Sequence, residues 1–289
     1  MFRSLLPAAA AALALLCADA NAQTSVELID AGAAPQQPIR YRFVAGPSQN
    51  AVMDMYTQMA MNLGAMQIPM TSIPPLRMTM AMRVAEVAAD GSARLEFALL
   101  SAQATGDLAL TGPLNQSLAN VKDVAGWYRM DTRGQISEGD MNVPAGNEGA
   151  REALGSLNQA MQQLAAPFPA EAVGIGARWR VVQKTATGGA NISQTAEYTL
   201  RARTATSVTL EVKIVDSSID LGSALPPEAK LEAMKVEGGG TTTMDLGGLV
   251  PTAAMDVNTQ IIMSFSAQGQ TQNINLNMQM KQSMGPAAR

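Results

Sequence analysis

Apolar and polar residues alternate with a period of two along much of this chain, the signature of strands with one buried face. The C-terminal stretch is clearest. Ile261, Met263, Phe265 and Ala267 alternate with mostly polar neighbours, and Gln268-Gly269-Gln270 reads as a turn. Ile274, Leu276, Met278 and Met280 then alternate with Asn273, Asn275, Asn277, Gln279 and Lys281. This predicts an antiparallel hairpin with one apolar and one very polar face. A second hairpin is predicted from Met78 to Val84 and from Leu95 to Leu99, turning at Asp90-Gly91, where glycine accepts the positive φ of a tight turn.

Helical spacing is rare. Leu154, Leu157, Met161 and Leu164 fall on one helical face, with Asn147 as a cap and Pro167 as a stop. Two shorter helices are expected to begin at Pro113 and at Pro226-Pro227, since proline suits a first turn.

The predicted strands fall into two similar runs. Ser92-Ala93-Arg94-Leu95-Glu96-Phe97 aligns with Ser207-Val208-Thr209-Leu210-Glu211-Val212. Met130-Asp131-Thr132-Arg133-Gly134 aligns with Met244-Asp245-Leu246-Gly247-Gly248, and Met141 and Val143 with Met255 and Val257, at spacings of 114 to 115 residues. Upstream, Ile39 to Phe43 resembles Ala177 to Val181, which predicts a strand at each place, with an insertion near 44–76. An internal duplication is the expectation.

The N-terminus reads as a cleavable leader. Arg3 is a short basic region, Leu5 to Ala18 is an uncharged apolar stretch of about 14 residues, and Ala20-Asn21-Ala22 fits a signal-peptidase site. The apolar stretch is shorter than the roughly 20 residues a spanning helix needs. Leu16 stands before Cys17, where lipidation wants a small residue, so cleavage after Ala22 is expected rather than a lipid anchor. The chain is therefore read as periplasmic or secreted, with residues 1–22 removed and no transmembrane segment afterwards.

Cleavage changes the chemistry available. Cys17 is the one cysteine and leaves with the leader, and the chain has no histidine. Serine–histidine–aspartate, cysteine–histidine and histidine-based metal chemistry are excluded. Asp131 and Asp245 at matching places could be a carboxylate pair, but each precedes a glycine-containing turn and reads first as a turn cap. Glu96 and Glu211 read as solvent-facing strand residues, and Trp127, Tyr128 and Trp179 as core anchors before ligand-stacking rings. No catalytic residue, cofactor or metal site is assigned. The formal net charge of −4 carries no basic cluster, which argues against a nucleic-acid partner. Aromatic residues are 4% of the chain and its end, Met284 to Arg289, has no terminal aromatic, so an outer-membrane barrel with aromatic girdles is not expected.

Methionine is the unusual component, with 20 in the chain. Met53/Met55, Met59/Met61, Met78/Met80/Met82 and Met278/Met280 are spaced by two, one face of a strand. Thioethers are flexible and polarizable and suit adaptable apolar contact. Met78, Met80, Met82, Met278 and Met280 are the candidate ligand-binding residues, for a lipid, another apolar ligand or a protein segment. The alternatives are plain core in a structural or scaffold protein, and a soft-cation site for Cu(I).

Pro167-Phe168-Pro169, then Val173, Gly176 and Trp179, with Asp90-Gly91-Ser92 and Asp131, Gly134 and Ile136, resemble a set of uncharacterised bacterial secreted and lipoprotein-type envelope β-proteins. The resemblance implies an envelope location and no established activity. The fold expected is mainly β: an antiparallel curved sheet, sandwich or half-barrel. It is built from two β-rich halves, 23–146 and 171–289, joined by a helical linker at 147–170 and sharing one core.

Overall fold

The computed structural model describes residues 23–63, 66–119, 124–142, 166–187, 190–221, 229–267 and 270–287. The predicted leader, the amphipathic linker before residue 166 and the helix expected at Pro226-Pro227 lie outside the described residues. Twelve strands and one helix follow in chain order: β1 (Gln23–Asp30), β2 (Gln49–Leu63), β3 (Met66–Val87), β4 (Ala93–Ala104), α1 (Leu108–Leu118), β5 (Ala125–Met130), β6 (Ile136–Asn142), β7 (Arg178–Thr187), β8 (Ala190–Arg203), β9 (Ser207–Asp220), β10 (Ala229–Asp245), β11 (Thr252–Ala267) and β12 (Gln270–Pro286). All lie in one antiparallel sheet ordered β1-β7-β8-β9-β10-β11-β12-β2-β3-β4-β5-β6, open at its β1 and β6 edges. The fold is thus mainly β, and the long β12–β2 ladder joins the last strand to the second.

The sheet is strongly curled. The Tyr41 amide donates to the Thr132 carbonyl after β5, and the neighbouring Arg42 amide donates to the Leu246 carbonyl after β10, each at 2.7 Å. Those strands are six places apart in the sheet, which would be about 29 Å if it were flat. Two adjacent residues can reach both only if the sheet wraps around them, as in a half-barrel.

The wrapped core fills one end of the half-barrel. Two segments between strands enter there, around 31–43 and 166–177, and pair with each other through Gln37 and Val173. Gly32, at φ +74°, and Gly174 sit where a Cβ would overlap the facing backbone. A file of rings runs through this core. Phe43 stacks on Tyr41, Tyr41 packs on Phe168, Phe168 meets Trp179 edge-on, and Trp179 stacks on Tyr198. The Trp179 indole N–H donates to the Pro167 carbonyl at 2.9 Å, so the Pro-x-Pro and Val-x-x-Gly-x-x-Trp stretches close this end together.

Both predicted hairpins are present and longer than their patterns suggested. Gly91 has φ +83°, and Met82 pairs with Phe97 across that hairpin. Ile261 pairs with Leu276 across the other. Two expectations need correction. Ile39 to Phe43 alternates buried and open like a strand, yet forms none, because its amides bond to the Thr132 and Leu246 turns rather than to a ladder. The helix at Pro113 begins earlier, at Leu108, with the Thr111 amide on the Asp107 carbonyl, so Pro113 lies inside it.

The two runs share pairing registers. Ala93–Met130 and Phe97–Gly126 between β4 and β5 correspond to Val208–Met244 and Val212–Gly240 between β9 and β10. The β3–β4 bulges at Thr79/Met80 and Val84/Glu86 recur in β8–β9 at Thr195/Ala196 and Leu200/Ala202, 116 residues on. Asp131 Oδ1 accepts the Arg133 and Gln135 amides, and Asp245 Oδ1 accepts the Gly247 amide. Both carboxylates are turn caps.

Candidate functional site

Among the described residues the core lies at the end of the half-barrel where β2 starts and β12 finishes. Ala51, Met53, Met80, Met82 and Met284 are all under 5% exposed there. Beyond them the same face runs on along the strands and turns from buried to half-buried. The register fixes what that face carries. Across β11, β12, β2 and β3 one row is Val257, Met280, Thr57 and Ile73. The next is Thr259, Met278, Met59 and Thr71, and the next Ile261, Leu276, Met61 and Ile68. On the other side, β10 adds Val236 opposite Thr259 and Met234 opposite Ile261. None of these side chains is ionisable.

No described strand or helix covers these rows, and most of their side chains are half-buried. They shield one another across the curl, which is what long flexible thioethers do on a concave surface. At the boundary with the filled end lies a small cavity of about 100 Å³, lined among others by Ala196, Ile214, Met255 and Met284, with Gln183, Gln194, Thr242 and Gln282 among its polar members. The Gln282 amide also donates to the Met53 sulfur at 2.8 Å.

The opposite face is charged. Arg77 is bonded to Asp54 at 2.7 Å, Arg83 to Glu96 at 2.7 Å, Arg129 to Glu138 at 2.8 Å and Arg180 to Glu197 at 2.8 Å, each pair across neighbouring strands. Glu211 pairs with Arg201 there. The Arg77 guanidinium holds the Asp54 carboxyl below the usual carboxylate range by hydrogen bonding. This polarity is opposite to that of a membrane barrel, whose apolar band faces outward.

The candidate methionines are divided by this geometry. Met80 and Met82 are 1% and 2% exposed, packed in the filled end. Met78 packs at the margin of that core, opposite Met53. Met278 and Met280 lie on the uncovered rows, two strands away from Met78, with β2 between. Met284, Met53 and Met78 form a row of three thioethers across β12, β2 and β3. Among the described residues no group of histidine, cysteine, aspartate or glutamate could hold a metal ion.

Sequence pattern alone missed the share of β10 and lower β3. Register shifts at Leu231/Ala233 in β10, and opposite Met55/Thr57 and Met59/Met61 in β3, break the period of two that marks a face.

No protein-family model matches the chain, and no curated protein matches it. Among solved structures, an outer membrane protein of Vibrio cholerae, OmpT, is similar at 9% identity and a TM-score of 0.20, over 82% of this chain and 100% of that one. The attachment invasion locus protein Ail of Yersinia pestis, solved with the heparin analogue sucrose octasulfate, is similar at 6% identity and a TM-score of 0.11, over 83% of this chain and 99% of that one. Similarities of this size carry no argument about fold or function. Among the described residues no helix is long and apolar enough to cross a membrane.

Proposed function

We propose that this chain is an exported, non-catalytic protein of a bacterial envelope that holds a lipid acyl chain on the inner face of its half-barrel. The observation that carries the reading is the run of uncharged apolar rows beyond the filled end, with no described element over them. The face is about 27 Å long from Met55 to Leu63 and about 19 Å wide from β10 to β3, by strand spacing and rise. An acyl chain suits it better than an extended peptide. The interior of a sheet face offers side chains only, so a peptide's backbone groups would find no partners there.

The expected affinity is modest. About 14 methylenes, half covered, gain roughly 5 kcal/mol at ~0.8 kcal/mol each. That corresponds to a Kd on the order of 100 μM. Titration with a fluorescent hexadecanoic acid analogue below its micelle concentration tests this. Saturable binding with a Kd between about 30 and 300 μM supports the reading, and the absence of saturable binding overturns it.

The leader expected at 1–22 and the resemblance of the Pro167 to Trp179 stretch support the envelope location. The shared registers and bulges of β3–β5 and β8–β10 support a doubled β-rich unit as its origin. The scaffold alternative draws on the two open edges, β1 and β6. Each edge carries carboxylates, Glu27 and Asp30 on one and Glu138 and Asp140 on the other, which discourage strand addition.

A further inference from the structure

The charged outer face is interrupted at one place. Across β3, β4, β5 and β6 its cross-strand rows read Glu86, Arg94, Arg129, Glu138, then Arg83, Glu96, Trp127, Asp140, then Ala81, Ala98, Ala125, Asn142. Three adjacent alanines on a solvent-facing sheet leave a flat floor where neighbouring rows carry long side chains. Over that floor opens a recess of about 400 Å³ with Trp127 as a wall and Asp140 and Asn142 at its β6 rim.

Trp127 lies between the Arg94 row and the alanine floor. The Arg94 guanidinium lies 4.1 Å from its ring centroid, and Arg94 stands in the row on the side away from the alanines. The ring lines the recess together with the floor alanines. Neither Asp140 nor Asn142 has a side-chain partner among the described residues. At the far end Arg83 is already bound to Glu96. In the second run the positions matching Ala81 and Ala98 are Glu197 and Lys213, which fill the same place beside Arg180.

We propose that this recess binds a neutral pyranose ring of a glycan, stacked on the Trp127 ring with its hydroxyls on Asp140 and Asn142. An aromatic wall meets the C–H face of a sugar, and the carboxylate and amide supply acceptors and a donor at the ring edge. The recess is too open to favour a wholly apolar ligand. Phosphate and other anions are disfavoured, because both nearby guanidiniums are engaged and Asp140 would repel them. The site is on the face opposite the proposed acyl site and does not depend on it.

The test uses the protein's own fluorophores. The chain has two tryptophans, and Trp179 is fully buried, so iodide quenching reports on Trp127. The probes are a β-1,4-linked N-acetylglucosamine tetramer, cellotetraose and maltotetraose. At least one should protect Trp127 saturably at millimolar concentration. Ala98→Lys, which restores the second run's side chain, and Asp140→Ala should each weaken that protection at least tenfold with the unfolding midpoint unchanged. The proposal is overturned if none of the three saccharides protects Trp127, or if the folded variants bind as tightly as the wild type.

Discussion

Truncating Met80 and Met278 should separate the filled end from the open face. Met80 is 1% exposed, between Ala51 and Leu99 on neighbouring strands, and it sits in the shared core. Met80→Ala removes the thioether arm and leaves a hole that a packed interior cannot fill, a cost of about 3 kcal/mol within the usual ~2–5 for such changes. Met278 is half-buried on a row that no described strand or helix covers, opposite Thr259 and Met59. Met278→Ala forfeits part of one side chain's burial and creates no enclosed cavity, so roughly 0.5–1 kcal/mol is expected. Urea unfolding followed by far-UV circular dichroism measures both. With a slope near 3 kcal/mol per molar, Met80→Ala should lower the midpoint by about 1 M and Met278→Ala by about 0.3 M or less. Equal losses would refute the reasoning, because they would mean that the Met278 row is covered as fully as the Met80 row.

Alkaline unfolding should begin above pH ~10. Burial pushes the Tyr198 phenol up to about 12 and raises Tyr41 and Tyr128 as well. Unfolded tyrosine ionises near ~10, so the unfolded state loses protons first. Stability is then fully present below pH ~10 and falls as pH rises through the folded value. Unfolding midpoints read with tyrosinate absorbance should show the drop there, and a flat profile from pH 9 to 12 would count against these burials. Trp179→Phe removes the donor to the buried Pro167 carbonyl and should cost roughly 2–4 kcal/mol in the same urea assay, whereas a loss below about 0.5 kcal/mol would mean that the indole bond holds nothing together.

Much of this fold is legible because local rules and tertiary contacts agree. Asp90-Gly91 turns where its chemistry says it should, and the alternation at 261–280 presents the same face that the ladder does. Trp179, Gly176 and Val173 carry a motif whose role is closure of the core: Gly176 has φ +85°, and Val173 and Trp179 have no exposed surface. What stayed hidden needed long-range pairing. No local pattern says that β12 lies against β2, more than 200 residues away, yet that ladder sets Met278 beside Met59. Ile39 to Phe43 looked like a strand because its alternation is real, but its partners are two turns wrapped around it. Period-two spacing groups Met80 and Met82 with Met278 and Met280, and only register and burial divide them. Trp127 follows the same limit. Trp127 and Tyr128 both read as core anchors, but neighbours on a strand face opposite sides, and the structure buries Tyr128 and sets Trp127 in the charged row with Glu96.

The inner face is tested most directly by placing a charge on each side of one strand. Met278 points to the proposed acyl site, and its neighbour Gln279 is exposed on the opposite face. In the fluorescent hexadecanoic acid titration, Met278→Asp should weaken binding at least tenfold while Gln279→Asp leaves it within twofold of the wild type. Equal effects of the two changes, or no effect of Met278→Asp, would contradict an acyl site on the inner face.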